Sequence, residues 1–203
     1  MRQPPKGSAY TLIYAALLGV VCATVLTAAH RVLGPMQQAH QKGRTTQQVL
    51  AALRVPGAAK VSGEAAEDLL AAKVTREEYD GETVYKYLED KGLRVIALRF
   101  EGPGYLGPIA GYVSLEADWT TIRAVVITEC SESPGLGGQL VTEEYLAKYR
   151  GKTIDALTLV REPRASQTSE VDAVTGASIT TKRFQAILDD VGERVRRLRR
   201  ETP

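Results

Sequence analysis

Apolar and polar positions separate the chain into one long apolar stretch near its start and a body of shorter periodic segments. The stretch Gly7–Ala29 contains no charged residue, and about 20 apolar residues in a helix cross the hydrocarbon core of a bilayer. We predict one transmembrane helix here, with Tyr10 and Tyr14 near a membrane interface. The alternative is a cleaved signal peptide, because Arg2 and Lys6 precede the stretch, although its length exceeds that of a usual signal core.

The body mixes short helices with strands rich in apolar and β-branched residues. Periodicity predicts helices over residues 45–55, 64–73 and 141–149, and strands over residues 93–100, 110–115, 121–128 and 153–160. Residues 161–172 are polar and are predicted to form a loop. A closing helix is the clearest element, because apolar residues recur along it at steps of three and four: Phe184, Ile187, Leu188, Val191, Val195 and Leu198. Helices do not regularly separate the strands, which favours an α+β fold with a mainly antiparallel sheet.

The net charge of +2 conceals a strong segregation of charge along the chain. Residues 1–63 hold seven Lys/Arg and no acid, whereas residues 64–181 hold 12 basic and 20 acidic residues, a net charge of −8. This acidic body argues against nucleic-acid binding, for which a basic domain is typical. The two Cys and two His argue against a disulfide framework, an iron–sulfur cluster and a zinc centre, and Cys22 and Cys130 are not expected to pair.

Basic residues gather again in the last turns of the closing helix, at Arg194, Arg196, Arg197, Arg199 and Arg200. Cations near a helix C-terminus complement the helix dipole. We interpret the cluster as dipole complement and solubility, with contact to anionic lipid headgroups as the alternative.

Small residues and hydroxyls are concentrated directly before the closing helix, over Asp172–Thr181. The simpler interpretation is capping of the helix, with Thr180 or Thr181 as N-cap. The functional interpretation is an anion site, because helix N-terminal N–H groups point outward and a Gly lets a phosphate approach closely. The segment matches neither the P-loop nor the dinucleotide-binding fingerprint.

Two further segments are rich in Gly and Pro. Glu129–Gly138 follows a predicted strand, and Gly102–Pro108 lies between two others. Each is interpreted most simply as a turn. The functional alternative is that backbone and Leu136 lie against a flat ligand. One small domain does not need three such segments merely to connect its strands and helices, which favours the functional alternative.

At these residues the sequence resembles a known family, the FMN-binding subunits of the sodium-pumping NADH:quinone oxidoreductase and of the Rnf electron-transport complex. The family motif [ST]-G-A-[ST]-x-[ST] is present as Thr175–Thr180. The family's Glu-Thr-Pro-Gly-Leu-Gly loop is present as Glu132–Gly137, with Ser133 in place of Thr. The stretch Gly102–Glu116 looks slightly more like the member from the sodium pump.

The resemblance implies FMN attached by a phosphoester to Thr180, the last hydroxyl residue of the motif, with Thr181 as the rival attachment point. It implies that the cofactor-binding residues are Glu132, Ser133, Gly135, Leu136, Gly137, Thr175, Gly176, Ala177, Ser178, Thr180 and Thr181. No residue of the chain is expected to be catalytic or to bind a metal. A separate flavin transferase would attach the FMN from FAD.

The resemblance also implies three parts: a membrane anchor over 1–30, a juxtamembrane connector over 31–44 and an extracytoplasmic FMN-binding domain over 45–203. The expected function is electron relay between subunits of an ion-translocating oxidoreductase in a bacterial inner membrane, with the domain on the periplasmic side. Expected partners are the other subunits, the transferase and the bilayer. The alternatives are a membrane-anchored FMN-binding sensor and a non-redox extracytoplasmic binding module.

Overall fold

The computed structural model describes residues 7–88, 92, 94–161 and 165–201. Contacts divide the chain into two units, Met1–Lys42 and Gly43–Pro203. Helix α1, Gly7–Ala52, begins in the first unit and ends in the second. Its segment Tyr10–Ala28 is long and apolar enough to cross a membrane, with a mean hydropathy of 2.1 and no part of it buried.

Residues 31–44, predicted as a connector, and residues 45–52 are helical parts of α1. The prediction of a separate short helix over 45–55 is therefore wrong. Gln and Ala are frequent in this region and favour helix. The helix ends because Arg54 adopts a left-handed φ of 51° and the Val55 N–H returns to the Leu50 carbonyl at 3.1 Å.

Five antiparallel strands form a meander in chain order. They are β1 (Val74–Tyr79), β2 (Glu82–Leu88), β3 (Arg94–Pro103), β4 (Pro108–Leu115) and β5 (Ile122–Cys130). The predicted α+β fold with a mainly antiparallel sheet is confirmed. Strands β1 and β2 were not predicted, although Asp80 and Gly81, both at positive φ, are a usual two-residue hairpin turn.

The sheet is covered on both faces, because side chains alternate along each strand. One face, which includes Leu98 and Phe100, packs on helix α4 (Ser178–Glu201), where Phe184 is fully buried. The Phe100 and Phe184 rings meet edge to face with centroids 6.1 Å apart. The opposite face packs on the end of α1 and on α2 (Glu64–Lys73), a helix that agrees with the predicted range.

The remaining elements lie between β5 and α4. Helix α3, Glu143–Ala147, begins after its N-cap Thr142, within the predicted helix over 141–149. Strands β6 (Thr158–Val160) and β7 (Glu170–Asp172) pair in parallel. The predicted strand over 153–160 is thus correct only for its last three residues, and the predicted loop over 161–172 contains a strand. Strand β7 is too short and too acidic to show a strand pattern in the sequence.

Arginines of the basic cluster form ion pairs across the fold. Arg194 pairs with Glu82 of β2 and donates to the Arg99 carbonyl at 2.9 Å. Arg197 pairs with Asp80 at 3.2 Å and Arg199 with Asp155 at 3.0 Å. These contacts join α4 to the sheet and to the segment before β6, a role that neither interpretation of the cluster included.

We expect Phe184→Ala to lower the free energy of unfolding by about 3–5 kcal/mol, because it leaves a cavity between α4 and the sheet. Ile179→Ala, on the same helix but 53% exposed, should change it by less than about 0.5 kcal/mol. Urea denaturation of the detergent-solubilised chain measures both. Equal losses for the two variants would contradict the packing of α4 described above.

Candidate functional site

The three Gly-rich segments meet at one buried carboxylate, that of Glu132. This residue follows β5 and is 8% exposed. Its Oε1 accepts hydrogen bonds from the backbone N–H groups of Tyr105 and Leu106, in the turn between β3 and β4. Its Oε2 accepts a hydrogen bond from the Thr180 hydroxyl at 2.7 Å. Glu132 therefore joins the β3–β4 turn, the loop after β5 and the first turn of α4.

Two glycines permit this close approach. A Cβ on Gly104 would lie 2.5 Å from Glu132 Oε1, and a Cβ on Gly137 would lie 2.7 Å from Thr180 Oγ1. Both distances are shorter than any real Cβ contact. Glycine is thus required here for space around the carboxylate.

Helix α4 begins earlier than the capping interpretation expected. Gly176 has a φ of +79°, and the Ala177 carbonyl accepts the Thr181 N–H at 2.9 Å. Ala177 therefore holds the N-cap position, and the prediction of Thr180 or Thr181 as N-cap is wrong. The positive φ at Gly176 ends the loop two residues before Ser178, which places both threonines inside the first helical turn.

The two adjacent threonines have different surroundings. Thr180 is 3% exposed and its hydroxyl donates to Glu132. Thr181 is 9% exposed, and its buried Oγ1 has no hydrogen-bond partner among the described residues. A buried hydroxyl without a partner is costly. The two side chains therefore lie in different surroundings, Thr180 at the Glu132 carboxylate and Thr181 away from it.

Thr181 lines a cavity of about 520 Å³ at the start of α4. Its wall combines the small and hydroxyl residues of the predicted motif with two cations; the lining includes Arg161, Thr175, Gly176, Ser178, Thr181 and Lys182. None of the described residues that line the cavity is acidic. The cavity therefore differs in charge from the acidic body around it.

The loop after β5 folds back on itself beside this cavity. The Ser133 carbonyl accepts the N–H groups of Leu136 at 3.2 Å and Gly138 at 2.9 Å, and Gly135 has a φ of +77°. Leu136 is 49% exposed, and its Cδ2 lies 3.3 Å from where a Cβ on Gly176 would stand. This contact sets the loop against the start of α4.

The structure thus brings together all the residues predicted from the motifs. Glu132, Gly137 and Thr180 form the hydrogen-bonded centre, Ser133, Gly135 and Leu136 the folded loop, Ala177 the N-cap, and Thr175, Gly176, Ser178 and Thr181 the cavity wall. Their role in cofactor binding remains a prediction.

Sequence reasoning missed five contributors to this region. Gly104 and the backbone of Tyr105 and Leu106 lie in the segment Gly102–Pro108, which was noted only as Gly- and Pro-rich. Arg161 and Lys182 stand 21 positions apart and belong to no motif, so no local signal marks them.

Comparison with known proteins identifies the part of the chain that contains these residues. Residues 104–192 match the family of the FMN-binding domain. Over these residues the chain is similar to FMN-binding domains. The match contains the loop after β5 and the whole Thr175–Thr180 motif, so the resemblance stated above is confirmed.

Relatives of the chain include components of two complexes. The chain is 30% identical over 134 residues to the C subunit of the Na⁺-translocating NADH-quinone reductase of Pseudomonas aeruginosa, covering 61% of this chain and 50% of the relative. It is 34% identical over 98 residues to the G subunit of the proton-translocating ferredoxin:NAD⁺ oxidoreductase complex of Clostridium ljungdahlii, covering 47% and 51%. The chain thus spans about half the length of these curated relatives.

Solved structures share the fold of this chain. The crystal structure of NqrC from Shewanella oneidensis superimposes with a TM-score of 0.63 at 23% identity, covering 73% of this chain and 91% of that one. The C subunit of the Na⁺-translocating NADH-quinone reductase from Parabacteroides distasonis gives 0.67 at 22% identity, covering 78% and 92%. At these identities the likeness concerns the fold alone.

We expect Thr180→Val and Thr181→Val to differ in stability although the substitution is the same. Thr180→Val removes a donor from the buried Glu132 and should cost about 1–3 kcal/mol. Thr181→Val removes a hydroxyl that has no partner and should change the free energy of unfolding by less than about 0.5 kcal/mol. Thermal or urea denaturation of the flavin-free protein measures both, and equal costs would contradict the hydrogen bonding described here.

Proposed function

We propose that the chain is an electron-transfer subunit of a membrane-bound ion-translocating oxidoreductase, of the sodium-pumping NADH:quinone reductase or Rnf type, and that it carries FMN covalently on Thr180. One observation carries this proposal. Within the matched FMN-binding domain, the hydroxyl of the last motif residue, Thr180, is held 2.7 Å from a carboxylate oxygen at the start of a helix.

The residues present fit a phosphorylated flavin. A helix start lined by Arg161 and Lys182 suits a phosphate. Apolar side chains stay exposed around the Glu132 centre, with Tyr105 at 59%, Leu136 at 49% and Ile179 at 53% exposure, and these suit an apolar ring. Bound FMN supplies the redox chemistry, which leaves the protein to hold and orient it.

Glu132 has a proton-accepting role in attachment. If FMN is esterified to Thr180, Glu132 Oε2 would accept the proton of the Thr180 hydroxyl. FAD would supply the FMN phosphoryl group, with AMP as the leaving group. The hydrogen bond at 2.7 Å already defines the path of the proton. No electrons are transferred in this step.

Thr180 is too deeply buried for another protein to reach in the folded arrangement, since 3% of it is exposed. The Ser133–Gly138 loop covers it through Gly137. We infer that this loop withdraws, or has not yet closed, when the flavin transferase acts. Gly135 and Gly137 supply the backbone freedom for such a movement.

The proposal extends to partners and location. The segment Tyr10–Ala28 anchors the chain in a bacterial inner membrane, and the FMN-binding domain lies on the periplasmic side. Electrons pass between this domain and neighbouring redox subunits. Copurification with those subunits supports this assignment, whereas isolation of the flavinylated chain without any redox partner favours a sensor.

The attachment residue is tested by coexpression with a flavin transferase. We expect the intact mass to rise by one FMN ester and flavin fluorescence to remain with the protein after SDS denaturation. Thr180→Val should abolish both signals, and Thr181→Val should retain both once the reaction is complete. Loss of both signals in Thr181→Val alone would show that FMN is attached to Thr181 and that the motif has been aligned one residue out of place. A colourless wild-type protein would favour a non-redox binding module.

The surroundings of the hydroxyl are tested by Gly137→Ala. The added Cβ would lie 2.7 Å from Thr180 Oγ1 and 2.8 Å from Glu132 Oε2, so we expect the hydrogen bond to break and flavinylation to slow by about tenfold or more. Gly43→Ala is the control, because its Cβ meets nothing within 4 Å. Equal flavinylation rates for both variants would contradict a role for the Thr180–Glu132 contact.

A further inference from the structure

A groove runs along the outer edge of β5, and we name it the β5 groove. Consecutive residues of the strand, Arg123–Ile127, line it together with the end of α1 and helix α3. Its volume is about 320 Å³, and a strand segment of this length spans about 13 Å. The β5 groove is therefore long enough for an extended segment of about four or five residues.

The β5 groove reaches the edge of the strand and not one of its faces. Side chains alternate between the two faces of a strand. Here Val126 packs on the α1 side of the sheet, whereas Val125 and Ile127 pack on the α4 side. A single groove is lined by residues of both faces only where the edge of the strand lies open to it.

This edge offers backbone groups for pairing. Strand β5 is the last strand of the sheet, and its outer side bonds to residues 151–153 at Thr121 and Ile122. Beyond Ile122, no backbone hydrogen bond leaves this side of β5 within the part of the chain that the structure describes. An unpaired edge is a template for a further strand, and an extended peptide binds other proteins by adding to such an edge.

Three guanidinium groups line the β5 groove, from Arg54 after α1, Arg123 of β5 and Arg150 after α3. Glu143 is the one acid among the described residues that line it. Arg123 is oriented by an ion pair with Glu116 at 3.3 Å. No carboxylate of the described residues forms an ion pair with Arg54 or Arg150. The groove therefore carries an excess of positive charge.

Arg54 occupies its position against two unfavourable effects. Its φ of 51° lies in the left-handed region that favours glycine. Desolvation, together with the neighbouring charges of Arg150 and Arg123, lowers the pKa of its guanidinium, and the charge of Glu143 opposes this shift. A glycine at position 54 would avoid both effects. The arginine therefore lowers the stability of the free chain, and an anionic partner would offset that cost.

We propose that the β5 groove binds an extended acidic segment of another polypeptide, which adds as a strand to the edge of β5 and pairs its carboxylates with Arg54, Arg123 and Arg150. Pairs between guanidinium and carboxylate groups are strong, and the groove differs in charge from the acidic body around it. A second copy of the chain is a poor occupant, because pairing two β5 edges about a two-fold axis would bring two cationic grooves together. The proposal requires neither FMN nor its attachment.

The experiment uses the full flavin-free chain in an uncharged detergent, with short capped peptides and fluorescence anisotropy as the readout. One peptide alternates Glu and Val, the second has Lys in place of Glu, and the third has Pro in place of Val. We expect the Glu–Val peptide to bind about tenfold or more tightly than the others, because the second reverses the charge and the third cannot form a strand ladder.

Hydrogen exchange separates strand addition from the binding of a small anion. The Glu–Val peptide should slow exchange at amides of residues 124–127, because a new strand would bond to the outer edge of β5. Equal affinities for the Glu–Val and Glu–Pro peptides would overturn strand addition. Inorganic phosphate that binds as tightly as the Glu–Val peptide would overturn a polypeptide as the occupant.

Variants locate the binding in the β5 groove. Arg54→Gly should keep or raise the thermal unfolding midpoint of the free chain, because glycine suits the positive φ, and should weaken binding of the Glu–Val peptide by about tenfold. Arg150→Glu should weaken it at least as much. Lys60→Glu is the matched control, because Lys60 is exposed and does not line the groove. Unchanged affinity in both groove variants, or an equal loss in Lys60→Glu, would overturn the proposal.

Two further outcomes would assign the cations of the groove to another role. Charged residues also protect exposed sheet edges from self-association. If Arg150→Glu makes the chain oligomerise and leaves its peptide affinity unchanged, the cations serve only this protection. If the wild-type chain dimerises and the Glu–Val peptide dissociates the dimer, a second copy occupies the groove. Either result would overturn the proposal.

Discussion

The buried carboxylate of Glu132 is the interaction on which the site depends. A carboxylate removed from water must be compensated by hydrogen bonds, and Glu132 receives them from the backbone of the β3–β4 turn and from the Thr180 hydroxyl. These donors come from parts of the chain far apart in sequence. Any backbone that satisfied Glu132 in this way had to bring the turn, the loop and the helix start together, with glycine at the points of closest approach.

Helix α4 links this polar centre to the stability of the fold. Its first turn supplies Thr180 and the cavity wall, its middle buries Phe184 against the sheet, and its end forms ion pairs that include the Arg194–Glu82 contact. The position of the attachment hydroxyl is therefore set by the same packing that sets the core. A change that shifted α4 along the sheet would displace both.

Adjacent residues on a helix point about 100° apart, so neighbouring threonines face different surroundings. Thr180 faces the carboxylate of Glu132, whereas Thr181 lines the cationic cavity. This divergence accounts for the different stability costs expected when the same substitution is made at the two positions.

Local pattern determined the long apolar helix, the α2 helix, strands β3 to β5 and the apolar stripe of α4, because periodicity within a few turns or residues carries that information. The motifs also marked the loop after β5 and the start of α4. Tertiary structure alone decided that Glu132 meets Thr180 across 48 positions, that β7 pairs with β6, that Ala177 caps α4 and that Arg161 and Lys182 share one cavity. Those features depend on contacts between segments that are far apart in sequence. Such contacts produce no periodic pattern and no fixed spacing of residues, so the sequence alone does not reveal them.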